Sequence, residues 1–155
     1  MRLKKTYGSR EVAALTGLTA RQLQRWDADG LLPPAIRPHR TAAGGYTERR
    51  YTPIDLFELL VLADLRRRGF SIHQLHATVR ALKEQFETRL FEATGGGSGV
   101  QLLTDGQDLY ARTTTGEFFN LLKSPTQPLL VVGNEGLLKE LGGKIKPRRR
   151  RPFTV

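Results

Sequence analysis

Apolar residues recur at helical spacing in two short segments near the start of the chain. In the first, "GSREVAALTG", Ser9 is a candidate N-cap and Gly17 a stop, which predicts a helix of about two turns. A second helix begins two residues later, where Thr19 and Gln22 have the spacing of a capping box. Two short helices across a tight turn that contains glycine predict a helix-turn-helix.

The second helix has two chemically different faces. At 100° per residue, Leu23 and Trp26 fall on one side, where they are expected to hold the helix to a core. Arg21, Gln24 and Arg25 fall on the other side, and their long cations and amide suit phosphate oxygens and base edges. A solvated polar face is the commoner explanation of such a pattern in any single helix, so DNA contact is one of two interpretations at this point.

A basic segment and two longer helices follow. The Gly44-Gly45 turn of "AIRPHRTAAGGYTERRYTP" lies between two arms rich in Arg, which predicts a β-hairpin beside the helix-turn-helix, that is, a wing. Thr52 begins a third helix that "RRRG" ends, and Ser71 begins a fourth that is predicted to reach Ala93.

The pattern changes at "TGGGSG", which has the composition of a flexible linker. Asp105-Gly106 separates two β-like runs, a strong hairpin signal, and "EFFNLL" and "PLLVVG" are further strand candidates. Asn134 is a candidate N-cap for a short helix over "EGLLKEL". These signals predict a small β-rich unit, which is marginal alone and which pairing with a second copy would help.

The predicted fold class is therefore α+β, with an N-terminal winged helix-turn-helix of about four helices plus the hairpin, and a small β-rich C-terminal unit. Residues 1–93 form the winged helix domain, 94–99 the Gly-rich linker, 100–143 the β-rich unit and 144–155 a basic, disordered tail. The β-rich unit is expected to dimerise or to dock a protein partner. Binding of a small effector is a weaker alternative, because no cluster of polar residues there would shape a ligand site.

Charge and cysteine content narrow the function. The 155 residues carry a formal net charge of +10, an excess that indicates an anionic partner such as nucleic acid or an acidic membrane surface. The excess lies at both ends, because residues 1–55 hold ten Lys/Arg and five Asp/Glu, and residues 144–155 hold six and none. The chain has no Cys, which excludes disulfides, thiolate metal sites and cysteine nucleophiles. No metal site and no cofactor is predicted.

The sequence lacks the features of a membrane protein and those of an enzyme. No apolar run approaches the roughly 20 residues that span a bilayer, and the basic start lacks the apolar stretch of a signal peptide. A cytoplasmic protein without a membrane partner is therefore expected. An enzyme is not expected, because no Ser/His/Asp set, no recognisable carboxylate pair and no phosphate-binding Gly loop is present.

The order and spacing of several segments resemble the MerR-type transcription regulators. The resemblance runs from about Tyr7 to Phe86 and includes "REVAALTGLTARQLQRWDADGLL", a wing with "GGY" and "RRYTPIDL", and "LRRRGFSIHQL". It implies a winged helix-turn-helix whose second helix lies in the major groove of double-stranded DNA while the wing contacts the adjacent backbone or minor groove. It also implies a homodimer on an inverted-repeat operator, and for many members activation of RNA polymerase by twisting a promoter whose spacer is too long.

Carried over residue by residue, the resemblance assigns roles to the second helix. Arg21 and Gln22 fall where the family reads bases, and Arg25 and Trp26 fall on its two aromatic positions. Gln24 departs from the Arg that is usual in the family. Arg25, on the face that the helical periodicity already assigns to DNA, is expected to supply the missing charge.

The resemblance also places Arg49 and Tyr51 on the pair that ends the family's wing. Phosphate contacts by Arg25 and by the arginines of the wing would make binding fall steeply with salt. The complete predicted DNA-contact set comprises Thr19, Arg21, Gln22, Gln24, Arg25, Trp26, Arg37, Arg40, Tyr46, Arg49, Arg50 and Tyr51.

The segment after the fourth helix departs from the larger family members. They continue into a long antiparallel coiled coil that makes the dimer, whereas here only "ETRLFEA" remains before the linker. Dimerisation is then expected to use the helix from Ser71 to Ala93, the β-rich unit, or DNA itself. RNA polymerase or another protein partner is a further candidate for the β-rich unit.

Two other functions stay open. An excisionase-like DNA-architecture factor would share this winged domain, although the longer C-terminal unit argues against it. A DNA-binding antitoxin of a toxin–antitoxin pair would use the C-terminal unit to hold a toxin, and co-purification of a second small protein would reveal it.

Overall fold

The computed structural model describes residues 5–34, 36–37, 39–45, 47–95, 99–129 and 139–140. It is α+β, as predicted, and it divides into two compact units. Of the described residues, 5–63 form unit 1 and 64–129 with 139–140 form unit 2. The division falls inside the third helix, not at the glycine-rich segment.

Unit 1 contains the predicted helix-turn-helix. Its elements are β1 (Tyr7–Gly8), α1 (Ser9–Thr16), α2 (Ala20–Ala28), β2 (Arg50–Tyr51) and the first part of α3 (Pro53–Arg67). The capping box at the start of α2 is confirmed, because the Gln22 N–H donates to Thr19 Oγ1 at 3.0 Å and the Thr19 N–H donates to Gln22 Oε1 at 2.9 Å. The sequence therefore set the start of the second helix through local hydrogen bonds.

The predicted N-cap of α1 is wrong by one residue. Gly8, in extended conformation, is the N-cap, and Ser9 is already the first helical residue. The Ser9 hydroxyl instead donates to Glu48 Oε2 at 3.2 Å. Gly17 ends the helix in the left-handed region, with φ of 81°, as the sequence predicted.

The predicted wing forms a hairpin between residues 36 and 50. Ile36 and Arg50 exchange both backbone hydrogen bonds, at 3.1 and 3.0 Å, and the Thr47 N–H donates to the His39 carbonyl at 2.8 Å. The Thr41 N–H closes the tip by donating to the Gly45 carbonyl at 2.7 Å. The returning arm continues into β2, which pairs antiparallel with β1. The wing is therefore tied to the residues that lead into α1.

The core of unit 1 consists of the apolar faces that the helical periodicity predicts. Leu23 and Trp26 of α2 are each 1% exposed. The other buried apolar residues come from β1, α1, the turns before and after α2, β2 and α3. They are Tyr7, Val12, Leu18, Leu31, Tyr51, Leu56, Leu59, Val61, Leu62 and Ala63.

Unit 2 combines helices with an antiparallel sheet. After the end of α3 come α4 (Ile72–Phe86) and α5 (Leu90–Gly95), then β3 (Gln101–Thr104), β4 (Leu109–Arg112), β5 (Phe118–Asn120), β6 (Ser124–Leu129) and β7 (Lys139–Glu140). The strand order is β6-β5-β4-β3-β7. The hairpin predicted around Asp105-Gly106 is confirmed as β3 and β4, and α5 packs on β3. The Phe86 ring meets the Phe119 ring edge to face, with centroids 5.1 Å apart.

The fourth helix is shorter than predicted. It ends at Phe86, because Glu87 takes the left-handed conformation, with φ of 49°. The Thr88 N–H returns to the Leu82 carbonyl at 3.1 Å, and the Arg89 N–H donates to Glu92 Oε1 at 2.9 Å, which starts α5. A non-glycine residue with positive φ carries no sequence signal, so the periodicity alone predicted one continuous helix. The second of the two helices runs to Gly95, into the predicted linker.

A third prediction is wrong at the end of the described chain. Lys139 and Glu140 pair antiparallel with Thr104 and Leu103, so the helix predicted over "EGLLKEL" is wrong at these two residues. The open edge of β3 offers backbone hydrogen bonds to a further strand, and a prediction from local helix signals does not take this pairing into account. The rest of that predicted helix, most of the "PLLVVG" strand and the tail 144–155 lie outside the described residues.

Candidate nucleic-acid interface

The outer face of α2 is exposed and positively charged. Arg21, Gln24, Arg25 and Ala28 are all exposed, whereas Leu23 and Trp26 on the opposite face are buried. Within the part of the chain that the structure describes, neither arginine of this face forms an ion pair. The cations are therefore available to an external anion, and the short Ala28 side chain leaves the face open beside them.

Two residues of the predicted DNA-contact set lie in the core instead. Trp26 is 1% exposed and Tyr51 is 0% exposed, so neither side chain reaches a surface that DNA could touch. Both are large rings on the apolar side of their elements, where burial is more favourable than exposure. The prediction that they contact DNA is corrected, and their role is to hold α2 and the wing to the core.

Thr19 and Gln22 use part of their polar capacity within the protein. Thr19 is exposed, but its hydroxyl accepts the Gln22 N–H, and the Gln22 Oε1 accepts the Thr19 N–H. Their first role is to fix the start of α2. The cap uses only the oxygen of the Gln22 amide, and its NH₂ group has no hydrogen-bond partner among the described residues, so it can donate to an outside acceptor.

Asp27 joins α2 to both arms of the wing. Arg37 Nη1, from the outgoing arm, lies 2.6 Å from Asp27 Oδ1, and Arg49 Nε, from the returning arm, lies 2.9 Å from Asp27 Oδ2. The Asp27 side chain is 5% exposed, Arg49 is 26% exposed and Arg37 is 63% exposed. Each carboxylate oxygen therefore has its own arginine. We call these three residues the Asp27 clamp.

Sequence reasoning did not identify Asp27 as part of the site. The signal was present, because Asp27 is one helical turn after Leu23 and next to Trp26, on the core side of α2. A carboxylate on that side needs cationic partners to be buried at low cost. Which arginines supply them depends on the path of the wing, and that path is a tertiary feature.

Glu48 links the wing to the start of α1. Its Oε2 accepts the Arg10 N–H at 3.1 Å and the Ser9 hydroxyl at 3.2 Å. Gly8 has no side chain to cap the helix, and a Cβ atom there would overlap the Glu48 carboxylate. Glu48 thus caps α1 from the wing, and its charge suits the positive end of the helix dipole.

Arg50 is held by the segment before β1. Its Nε and Nη2 lie 3.1 and 2.9 Å from Thr6 Oγ1, and Nη2 also reaches the Thr6 carbonyl oxygen at 3.3 Å. A longer ion pair of 3.9 Å connects Arg50 Nη1 to Glu48. Two of the wing arginines predicted to contact phosphate, Arg49 and Arg50, are therefore each engaged by a partner inside unit 1.

Two further wing residues, Arg40 and Tyr46, belong to the predicted DNA-contact set. Arg40 is exposed and forms no ion pair with another residue that the structure describes. Tyr46, which the sequence also assigns to the DNA contact, lies outside the described residues.

The Tyr51 hydroxyl lies beside the Asp27 clamp. It is buried and has no hydrogen-bond partner among the described residues. Burial raises the pKa of the Tyr51 phenol from 10.0 to about 12; the charge of Arg49 lowers this pKa, and those of Asp27 and Asp55 add to its rise. The phenol is therefore neutral over the physiological pH range, and the Asp27 clamp lies beside an uncharged ring.

The described residues contain neither a cluster of metal ligands nor a helix that could cross a membrane. No group of three or more His, Asp or Glu side chains there could hold a metal ion. None of the helices described combines the length and apolar character that crossing a bilayer requires.

Comparison with known proteins places the winged region in a family. The model of the MerR HTH family of regulatory proteins matches residues 7–82. That range covers the helix-turn-helix, the wing, α3 and most of α4.

Curated relatives extend the likeness. An uncharacterized HTH-type transcriptional regulator of Mycobacterium tuberculosis is 28% identical over 139 residues, which are 90% of this chain and 57% of the relative. The HTH-type transcriptional regulator CueR of Vibrio cholerae is 36% identical over 67 residues, 43% of this chain and 44% of the relative. The chain thus spans about half the length of the curated relatives it matches. A match of 139 residues cannot fit within residues 7–82, so the mycobacterial protein also resembles part of unit 2.

A solved structure shows a weaker likeness. It is a transcriptional regulator of the MerR family from Bacillus cereus, 28% identical over 46% of this chain and 48% of that chain, with a TM-score of 0.37. The relatives are named as regulators and not as enzymes, which agrees with the expectation from the sequence. Residues 7–82 of this chain thus match the MerR family of helix-turn-helix regulatory proteins.

Proposed function

We propose that the protein is a sequence-specific, DNA-binding transcription regulator that acts in the cytoplasm as a homodimer on an inverted-repeat operator. In this proposal, α2 enters the major groove and the wing contacts the neighbouring backbone. The match to the family and the basic character of residues 1–55 both support binding to DNA.

The observation that carries the proposal is the outer face of α2. Arg21 and Arg25 lie on it with Gln24 between them, all exposed. Arg and Gln side chains can form paired hydrogen bonds with guanine and adenine edges, respectively, in the major groove. The arginines of this face have no ion-pair partner among the described residues, whereas Arg37, Arg49 and Arg50 of the wing are held by partners in unit 1. This difference supports base reading by α2 and positioning by the wing.

Unit 2 is proposed to serve dimerisation or a protein partner. Its sheet supplies a core of its own, and a 139-residue match to the mycobacterial regulator extends into it. Its outer strand β6 contains Pro125 and Pro128, and proline hinders the addition of a further strand at a sheet edge. At the β6 edge, contact through side chains is therefore favoured over a continuous sheet between two copies.

The first experiment is selection of duplexes from a random pool by the purified full chain. The selected sequence is then footprinted, and binding is measured over a salt series. Arg21→Ala is expected to cost about 1–3 kcal/mol on the selected duplex and to relax its preference at one base position. Arg80→Ala is the matched control, because it removes the same charge from an exposed position in α4.

Each outcome has a distinct meaning. Selection of an inverted repeat, with a loss of preference for Arg21→Ala and none for Arg80→Ala, supports the proposal. Binding of all duplexes alike by the wild type would overturn it and favour the DNA-architecture factor. Sedimentation equilibrium at several concentrations tests the homodimer separately, and a second small protein in the purified material would favour the antitoxin.

A further inference from the structure

We propose that Asp27 is a specificity-determining positioning residue, which fixes the wing to α2 and holds two arginines back from indiscriminate contact with phosphate. This inference rests on the proposed function, because it concerns how the same interface distinguishes one DNA sequence from another. Asp27 itself is buried, so its effect on DNA is exerted through Arg37 and Arg49.

The geometry of the clamp argues for positioning. The two arginines come from opposite arms of one hairpin and meet the two oxygens of a single carboxylate on α2. A hairpin held at both arms has a fixed distance and angle to the helix. Specific binding requires that contacts to bases and contacts to phosphates form together, since the phosphate contacts set the register of the protein on the duplex.

The negative charge of Asp27 supports the second part of the proposal, that two arginines are kept from phosphate. Arg49 is bonded through Nε and is only 26% exposed, so its reach is limited while it is paired with Asp27. Arg37 is 63% exposed, but one nitrogen of its guanidinium is held 2.6 Å from the carboxylate. Without the carboxylate, two long, flexible cations would be released on the basic side of the molecule. Their new phosphate contacts would be independent of sequence.

Loss of Asp27 is therefore expected to change binding in two opposite directions. Affinity for an unrelated duplex should rise, because a negative charge is lost and two cations are freed. Preference for the operator should fall, because the wing no longer keeps one position relative to α2. Simple damage to the fold would lower both quantities, so this combination of changes identifies the positioning role.

The test compares Asp27→Asn with Asp29→Asn in the full chain. Asp29 is the exposed C-cap of α2 and forms no ion pair with a described residue, so its variant makes the same charge change two positions away. Binding is measured by fluorescence anisotropy on the selected duplex and on a scrambled duplex of equal composition, over a salt series. Thermal unfolding followed by circular dichroism checks that each variant is folded.

For Asp27→Asn, the scrambled duplex should bind about tenfold more tightly at low salt, and the ratio of selected to scrambled affinity should fall at least about tenfold. Two additional phosphate contacts would make the slope of log K against log salt steeper by about 1.8. Asp29→Asn should change both affinities by one common factor and leave the slope as it is. Equal behaviour of the two variants, with a selective wild type, would overturn this inference alone.

Arg37→Gln keeps the inference testable if Asp27→Asn does not fold, because Arg37 is largely exposed. A plain phosphate contact predicts that both affinities fall by the same factor. The clamp predicts that the affinity ratio falls as well, since one arm of the wing is released, and an unchanged ratio would overturn it. A wild type without any preference among duplexes would overturn the proposed function and, with it, the positioning role.

Discussion

The two units differ in how far apart in the sequence their polar partners are. In unit 1, side-chain hydrogen bonds join residues that are 44 positions apart at Arg50 and Thr6, 38 apart at Arg10 and Glu48, and 22 apart at Arg49 and Asp27. In unit 2, most polar contacts of the sheet stay within a turn, such as those of Asp105 with residues two to five positions later.

This difference shows which interactions place each functional surface. The wing of unit 1 is short and largely exposed, so its position depends on ion pairs and caps to the helices. The sheet of unit 2 is held by backbone pairing and by apolar side chains, and its polar contacts shape individual turns. Substitutions that remove either a buried side chain or a single polar contact therefore test this difference between the units.

The largest effect on stability is expected from Trp26→Ala, because this ring is among the largest fully buried side chains and lies in the apolar core of unit 1. Removal of a fully buried ring should lower the free energy of unfolding by about 3–5 kcal/mol. Urea denaturation followed by circular dichroism measures this loss. Arg25→Ala, at the neighbouring exposed position, should change stability by less than about 0.5 kcal/mol while weakening DNA binding. Equal losses of stability in the two variants would contradict the assignment of the two faces.

Leu109→Ala tests burial in the sheet of unit 2. Leu109 is fully buried in β4, and its truncation should lower the free energy of unfolding by about 2–5 kcal/mol. The matched control is Leu129→Ala in β6, where the side chain is exposed and a change within about 0.5 kcal/mol is expected. The same denaturation experiment compares them. A small effect at Leu109 would show that the sheet does not depend on its core.

Tyr51 and Tyr110 offer a matched pair of phenols, one in each unit. The pKa of Tyr51 is raised to about 12, so the folded protein keeps this proton after the unfolded chain, at 10.0, has lost it. Ionisation of Tyr51 therefore leaves the free energy of unfolding unchanged below pH 10 and lowers it as the pH rises from 10 to 12, by up to about 3 kcal/mol. Between pH 9 and 12, the free energy of unfolding of Tyr51→Phe should therefore fall by that much less than that of the wild type. Urea denaturation at each pH measures both.

At neutral pH the two phenols should respond differently to loss of the hydroxyl. Tyr51→Phe should leave stability unchanged or slightly higher, because its hydroxyl has no partner among the described residues. Tyr110→Phe should cost about 0.5–1.5 kcal/mol, because its hydroxyl donates to Asp105 Oδ2 at 2.9 Å. The reverse order of the two losses would indicate a partner for Tyr51 that the described residues lack.

A small effect is expected at the cap that the wing provides. Glu48→Ala should lower stability by about 1 kcal/mol, because the Arg10 N–H loses its acceptor. Glu48→Gln retains an accepting oxygen and should recover part of the loss. Glu84→Ala, at an exposed position of α4, controls for the change of charge. A loss at Glu84 as large as at Glu48 would argue against capping from the wing.

Local physical chemistry made a large part of this protein readable from its sequence. Capping boxes at Thr19 and Ser71 fixed the starts of α2 and α4, because side chain and backbone partners lie within three residues of each other. Helical periodicity separated Arg21 and Arg25 from the core, and glycine signals located the wing and the β3–β4 turn. The order of these segments was enough to indicate the family.

Only the tertiary structure decided which basic side chains are engaged inside the protein and where helix gives way to strand. Asp27 meets Arg37 and Arg49 because the wing folds back on α2, and no local pattern encodes that approach. The stop at Glu87 depends on a left-handed residue without a glycine signal, and Lys139 becomes a strand residue because β3 offers an open edge. Periodicity and capping act over a few residues, whereas pairing and burial depend on partners that are distant in sequence.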